Sequence, residues 1–314
     1  MQHSTGEEQQ PATQWLGVHD QAIRASDTLR EYFRLTKPRI TLLIAISTAV
    51  GYCYGAAAHF FGIGTFVHAV LGTALMASGA ATLNQWYERE IDAKMERTKL
   101  RPIPAGTVLP GRALLFGIAL SILGVVELWA FTNLLAAALG LLTTVGYVFA
   151  YTPLKRKSPI STTIGAFPGA IPPLIGFAAA SGRLSVEAWV LFGILFLWQF
   201  PHFHAIAWIY REDYENAGIK MLAVVQPHGN ALTLEILVTL VLLIPVTLAP
   251  ALLHMAGEIY FAAAFVLDLG FLYFGLRMSR ERTRVRARSL LLASVIYLPL
   301  LFAFLVFDSP RFTI

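Results

Sequence analysis

The sequence predicts an all-α integral membrane protein with nine spans, and three observations predict it. Of the 314 residues, 56% are hydrophobic and only 14% charged, too little polar surface for a soluble chain of this length. The apolar residues gather into nine segments of near-spanning length. Lysine and arginine fall almost wholly in alternate connections, which orients every span consistently.

Residues 1–34 read as a polar tail, with Glu7 and Glu8 near its start. No charged region leads into an apolar core there, so no cleavable signal peptide is expected, and the acids argue against a mitochondrial transit peptide. The first dozen residues are expected to be disordered, and Asp20–Arg34 to form a short surface helix. Spans follow at about Ile40–Ala58, Gly64–Gln85, Ala113–Thr132, Leu134–Tyr151, Thr162–Ser181, Val186–Ile209, Leu232–Leu253, Ile259–Met278 and Ser289–Phe307. Only Thr132 and Asn133 separate the third from the fourth, which demands a tight turn. Pro172–Pro173 and Pro201 are expected to break or kink the fifth and sixth. Backbone groups freed that way are tolerated only when buried in protein or lining a cavity.

The bases lie in the tail and in the loops after the second, fourth, sixth and eighth spans; Arg183 and Arg311 fall on the other side. That puts the N-terminus in the cytoplasm and the C-terminus outside. Residues 35–308 form one transmembrane domain, and residues 309–314 a short tail. The net charge of +5 sits in membrane-flanking loops, so it reads as topology and not as nucleic-acid binding. The Arg-rich connection Arg277–Arg288 is expected to set topology and to bind anionic membrane lipids. The single cysteine, Cys53, excludes an intrachain disulfide and any Cys-based zinc or iron–sulfur centre.

Chemistry concentrates in Leu83–Gly106, LNQWYEREIDAKMERTKLRPIPAG. Asn84, Glu88 and Asp92 stand at i, i+4 and i+8. On a helix that spacing keeps three oxygen-bearing side chains on one face, drifting about 40° per step over roughly 12 Å. Such a set suits Mg²⁺, which binds through one or two carboxylates plus substrate phosphates. Arg97, Lys99 and Arg101 follow and can hold phosphate oxygens. A solvated loop obeying the positive-inside rule would also carry bases, but it would not explain acids at helical spacing.

A second constellation ends the sixth span, WQFPHFHAIAWIYREDYENAGIKML. Glu212, Asp213 and Glu215 form an acid cluster beside Arg211 and Lys220. If both clusters faced one cavity they could hold two Mg²⁺ ions across one diphosphate. His202 and His204 lie inside the span and are candidates for haem ligation or proton exchange, against the plainer reading of hydrogen-bonded core histidines. Lys155–Arg156–Lys157 is a compact basic loop that could meet a diphosphate or a substrate carboxylate, or serve equally as a topology signal alone. Asp268, alone in the eighth span, is expected to pack or hydrogen-bond. The two acid-bearing loops follow the second and sixth spans, a faint sign of two similar halves.

LTKPRI (Leu35–Ile40), the 84–106 stretch, YTPLKR (Tyr151–Arg156), GAIPPLIG (Gly169–Gly176), the 198–222 stretch and YLPLLF (Tyr297–Phe302) together resemble the UbiA-type intramembrane prenyltransferases, and within them the haem-farnesylating branch. The resemblance implies a nine-helix bundle around a central cavity. It also implies transfer of the farnesyl group of farnesyl diphosphate to a vinyl group of haem B, with addition of water and release of diphosphate, in a bacterial cytoplasmic membrane. The family's first motif is Asn-Asp-x-x-Asp-x-x-x-Asp. Asn84, Glu88 and Asp92 match its metal positions, with Gln85 and Glu88 in place of aspartates. Its second motif, Asp-x-x-x-Asp, is not matched in register: Tyr210 and Tyr214 occupy those positions, with Glu212 and Asp213 nearby. The implied site has Mg²⁺ on Asn84, Glu88 and Asp92, with Glu212 and Asp213 as candidates for a second ion. Arg97, Lys99, Arg101 and Lys155 would meet the diphosphate, with Arg211 and Asp213 as further catalytic candidates. By position and chemical type alone, and not by the resemblance, His202 or His204 is a candidate ligand of haem iron and Arg211 or Arg288 a candidate partner of a propionate. Haem A synthase or a terminal oxidase assembly is a candidate recipient of the product. A quinone precursor or chlorophyllide as acceptor, or a transporter, remain the competing readings.

Overall fold

A computed structural model describes residues 25–56 and 61–311; the expected disorder of the first dozen residues and the start of the expected surface helix lie outside them. Among the described residues every regular element is helical. Helix α1, Ala25–Leu35, is followed by α2, Pro38–Gly55, then α3, Ile63–Tyr87, and one short turn, α4, Arg89–Asp92. Next come α5, Pro110–Phe131, and α6, Leu134–Val145, which runs through a π-helical segment, Gly146–Tyr151, into α7, Thr152–Leu154. The chain continues as α8, Ser161–Ala170, α9, Pro172–Ser181, α10, Val186–Ile209, α11, Arg211–Asn216, and α12, Leu222–Val225. Helices α13, Ala231–Leu252, α14, Glu258–Arg280, and α15, Arg284–Phe307, complete the bundle.

Eight helices or continuous helical runs are long and apolar enough to cross a membrane among the described residues. They correspond to the second through ninth expected spans. The first, expected at Ile40–Ala58, is the 18-residue α2 and is not among the eight. It opens on Pro38 and Arg39 and ends on Tyr52 and Tyr54, which dilutes its apolar run.

The expected turn at Thr132–Asn133 is present: Asn133 caps α6 by accepting from the Ala136 N–H at 3.0 Å. The fifth span breaks at Ile171, ahead of Pro172–Pro173, into α8 and α9. Pro201, by contrast, does not break α10, which is continuous through it. The connection expected over Arg277–Arg288 is short, because α14 extends to Arg280 and α15 begins at Arg284.

Helix α2 packs tightly on α9, and two glycines permit it. A Cβ on Gly51 would lie 2.0 Å from the Pro173 carbonyl oxygen, and one on Gly176 would lie 1.9 Å from that of Thr48. Small residues at such a crossing let two backbones approach within the membrane. At the polar end of the bundle, α1 clamps the connection between α3 and α5. Gln85 donates to the Leu35 carbonyl at 2.7 Å, Arg34 to that of Leu100 at 3.0 Å, and Leu35 packs with Ile103, Val108 and Ala113.

Candidate active site

Helix α3 ends one residue before Glu88, whose φ of −88° and ψ of 5° depart from helix geometry, so the expected continuous helical face is interrupted. The four-residue step survives the interruption. The Glu88 N–H donates to Asn84 O at 2.9 Å and the Asp92 N–H to Glu88 O at 2.8 Å. Asn84, Glu88 and Asp92 therefore still face one cavity of about 200 Å³. All three are buried, Asp92 completely.

Each of the three oxygen-bearing side chains meets its own cation. Lys37 Nζ donates to Asn84 Oδ1 at 3.1 Å, Lys155 Nζ to Glu88 Oε1 at 2.8 Å and Arg101 to Asp92 Oδ2 at 2.7 Å. The Asn84 amide is oriented from behind, donating to Thr152 Oγ1 at 3.1 Å. The π-helical segment before Thr152 turns Tyr147 and Tyr151 into the same cavity, with the Lys155 ammonium 4.5 Å from the centre of the Tyr151 ring. Burial alone would raise the Glu88 carboxyl, but the Lys155 ammonium, and then Lys37, outweigh it and hold Glu88 below the usual carboxylate range. Burial would lower Lys155; Glu88 outweighs that and raises it well above the ordinary lysine value. Burial, with the Arg101 and Lys155 charges beside it, pushes Lys37 down to about 7.

Lys37 was not expected. It sits in the left-handed region, φ 48°, immediately before Pro38, a conformation that costs roughly 1–2 kcal/mol for a residue with a Cβ. A base directly before a Pro that opens an apolar run was the available signal.

The oxygen set fits a hard cation. Asp92 Oδ1 is buried and has no hydrogen-bond partner, whereas its sister oxygen is held by Arg101. An unpartnered buried carboxylate oxygen is costly unless something positive completes it. Oxygen ligands from an amide and two carboxylates are the donor type Mg²⁺ takes.

Arg97 also lines the cavity, gripped by the two tyrosines of the second constellation. Its guanidinium lies 4.8 Å from the Tyr210 ring centre and 5.6 Å from that of Tyr214, and it donates to the Tyr214 hydroxyl at 3.2 Å. Asp213 does not face the cavity; it accepts from the Arg97 backbone N–H at 3.3 Å and so ties the two polar connections together. The Lys220 N–H donates to Lys155 O at 2.7 Å and ties in the third.

Several expected residues are placed elsewhere. Glu212 is exposed and lines a separate cavity, so it and Asp213 do not complete a second ion site on the first motif. Among the described residues no group of three or more His, Cys, Asp and Glu is positioned to hold a metal. Lys99 is exposed and pairs with Glu96 at 2.6 Å. Arg211 stacks over Trp208 at 4.9 Å and faces the separate cavity. Arg288 is exposed on α15 and lines neither cavity.

Helix α10 presents Phe203, Ile206 and Ala207 to the reaction cavity. At 100° per residue this turns His202 and His204 to either side. His202 Nδ1 is 2.8 Å from Ser294 Oγ and His204 Nε2 is 2.8 Å from Glu235 Oε2. Both are hydrogen-bonded interhelical histidines, and the iron-ligand role expected of them has no support in their placement. Asp268 bonds to Thr247 at 2.6 Å and Tyr297 at 2.5 Å, as a buried packing acid should.

The separate cavity, about 620 Å³, opens where α10 ends and α14 and α15 meet. Its walls carry Arg211, Arg280, Arg282 and Arg284 together with Trp208.

Comparison with known proteins identifies the family and the fold. A relative from Solibacter usitatus named protoheme IX farnesyltransferase is 54% identical over 293 residues, 90% of this chain and 99% of the relative. One of the same name from Koribacter versatilis is 48% identical, covering 89% and 93%. Among solved structures, a digeranylgeranylglyceryl phosphate synthase superposes with a TM-score of 0.75 at 18% identity, over 90% of this chain and 98% of that one. A UbiA homologue from Archaeoglobus fulgidus bound to GPP and Mg²⁺ superposes with a TM-score of 0.62 at 17% identity, over 88% and 99%. The sequence model described as the UbiA prenyltransferase family matches residues 44–305. With that match, those relatives and a buried carboxylate–cation cavity at the polar end of the bundle, this chain belongs to the UbiA prenyltransferase family.

Proposed function

We propose that this membrane protein transfers the farnesyl group of farnesyl diphosphate to a vinyl group of haem B, with addition of water, giving haem O and diphosphate. The haem acceptor follows from the 54% identity over nearly the whole length of a protoheme IX farnesyltransferase. The diphosphate chemistry rests on one observation, the buried Asn84–Glu88–Asp92 set with an unpartnered Asp92 oxygen among cations.

Asn84, Glu88 and Asp92 would hold Mg²⁺, which when bound supplies Lewis-acid neutralisation of the diphosphate. Arg97, Arg101, Lys37 and Lys155 surround the same space and meet the phosphate oxygens as negative charge develops on them. Because Arg97 is held by Tyr210 and Tyr214, Lys37 by Asn84, Lys155 by Glu88 and Arg101 by Asp92, little reorganisation accompanies departure of the leaving group. The C1–O bond of farnesyl diphosphate breaks and leaves an allylic cation. The terminal vinyl carbon of haem forms the new C–C bond, and positive charge moves to the carbon beside the ring. Water adds there, loses a proton and becomes the hydroxyl. The apolar wall of Phe203, Ile206 and Met221 limits water near the first cation.

At about 200 Å³ the cavity suits a diphosphate head and falls below the roughly 300–1,000 Å³ of sites that enclose a drug-sized ligand. The prenyl chain therefore extends from it between the helices, and the macrocycle lies largely outside it. Residues 35–308 act as one catalytic domain in a bacterial cytoplasmic membrane, with the cavity at the cytoplasmic face, and haem A synthase or a terminal oxidase assembly receives the product.

Mass spectrometry of haems extracted from membranes with and without the protein tests the reading. A new haem, heavier by a farnesyl group and a hydroxyl and dependent on Glu88 and Asp92, is expected. No new haem from stably expressed protein supplied with farnesyl diphosphate would reject haem as acceptor.

A further inference from the structure

The Arg-lined cavity at the ends of α10, α14 and α15 plays no part in the diphosphate site, yet it has the larger volume. Its arginines are not equivalent. Arg282 is committed to the fold, donating to Pro227 O at 2.8 Å and to Thr233 Oγ1 at 3.1 Å. Among the described residues, Arg280 and Arg284 have no hydrogen-bonded or ion-paired side-chain partner, although the neighbouring Arg286 has found Glu281 at 3.5 Å. The Arg211 guanidinium lies over the Trp208 ring, 4.9 Å from its centre. Glu212 is the cavity's one carboxylate and is exposed at its edge. The Ser279 hydroxyl lines the same cavity, is buried, and has no hydrogen-bond partner. Unpaired guanidinium groups, an unsatisfied buried hydroxyl and an aromatic face together suit a flat ligand with carboxylates on its edge.

The two cavities share one helical turn. Ile206 and Ala207 of α10 face the diphosphate site, and Trp208 and Ile209 face the Arg-lined one. A ligand seated in the second can therefore reach around the end of α10 toward the first. We infer that this cleft is the haem-docking site, in which Arg280, Arg284 and Ser279 hold the propionates and Trp208 lies against the macrocycle. Haem carries propionates and vinyls on different edges, so anchoring the carboxylates here leaves a vinyl edge free to face the allylic carbon. The inference rests on haem B being the acceptor.

The test uses the full chain in detergent and measures binding of haem B, and of haem B dimethyl ester, by absorption titration without farnesyl diphosphate. The variants are Arg280→Ala, Arg284→Ala and Ser279→Ala, with the KM for farnesyl diphosphate as a check on the intact fold. Wild type should bind haem B more tightly than its ester. Each arginine variant should lose roughly 10- to 100-fold in haem B affinity, the range for a charge-assisted bond, and bind the ester as wild type does. The KM for haem should rise while that for farnesyl diphosphate holds. Equal losses for haem B and ester, or none for either, would overturn the inference. Unchanged haem binding with weaker inhibition by inorganic diphosphate would make the cleft a product-exit site. Unchanged haem binding with lost stimulation by phosphatidylglycerol over phosphatidylcholine nanodiscs would make it a lipid headgroup site. Either result also overturns it. Failure of the underlying reading is separate: wild type would then yield no farnesylated haem at all.

Discussion

Asp92→Asn isolates the cation site from the fold. In the wild type, Asp92 Oδ2 accepts from Arg101 at 2.7 Å while Oδ1 is buried without a partner. Asparagine is nearly isosteric, and its carbonyl oxygen can keep the Arg101 bond. Its amide then occupies the place of Oδ1 and puts two N–H donors where a lone pair stood. An ion pair becomes a hydrogen bond from the Arg101 cation to a neutral amide, which costs about 1 kcal/mol of stability. The catalytic loss is larger. Removing one preorganised electrostatic partner typically costs about 10²–10³ in kcat, or roughly 3–4 kcal/mol of transition-state stabilisation. The assay is single-turnover formation of farnesylated haem by purified protein, with thermal unfolding followed in parallel at rising Mg²⁺. Wild type should gain thermal stability with Mg²⁺ by mass action, and the variant should not. A variant that turns over at the wild-type rate, or still shows the full Mg²⁺-dependent stabilisation, would refute Asp92 as a cation ligand. A rate loss matched by an equal loss of folded protein would refute it as well.

Other outcomes follow from the same structure. Tyr214→Phe removes the hydroxyl that holds Arg97, so KM for farnesyl diphosphate should rise about three- to tenfold, the worth of one modest hydrogen bond, with haem KM unchanged; an unchanged diphosphate KM would count against Arg97 as a phosphate contact. Lys155→Met leaves Glu88 buried without its 2.8 Å partner and should cost about 3–5 kcal/mol, visible as a lower unfolding midpoint and lost activity, whereas Lys155→Met combined with Glu88→Leu should recover much of the stability and none of the activity. Gly51→Ala drives a methyl into the Pro173 carbonyl and should destabilise by about 1–3 kcal/mol or more in thermal unfolding, while Gly64→Ala, which meets open space, should not. His202→Ala and His204→Ala should leave the spectrum of bound haem unchanged, because their rings are engaged by Ser294 and Glu235; loss of an axial-ligand signature in either would contradict that assignment.

Apolar run length and the alternation of bases between loops made the spans legible, because both report solvent preference residue by residue. The Asn84–Glu88–Asp92 set was legible for a related reason: backbone hydrogen bonds four residues apart bring those side chains to one face whatever surrounds them, even across the irregular backbone at Glu88. The turn at Asn133 and the break before Pro172 are likewise local backbone chemistry.

Tertiary structure decided which cations meet which oxygens, and which polar side chains reach the cavity. Lys37 finds Asn84 across 47 positions and Lys155 finds Glu88 across 67, distances over which periodicity carries no information. Helix α10 is apolar on every side, so no polar stripe in its sequence discloses its rotation. That rotation turns Phe203 and Ala207 inward and His202 and His204 away, and the separate α11 that follows carries Glu212 outward and Tyr214 onto Arg97. Sequence by itself determined what crosses the membrane and where cation ligands could stand together. Packing alone, through close backbone approaches such as Gly51 on Pro173, determined how each helix is turned, and with it which charges share a buried space.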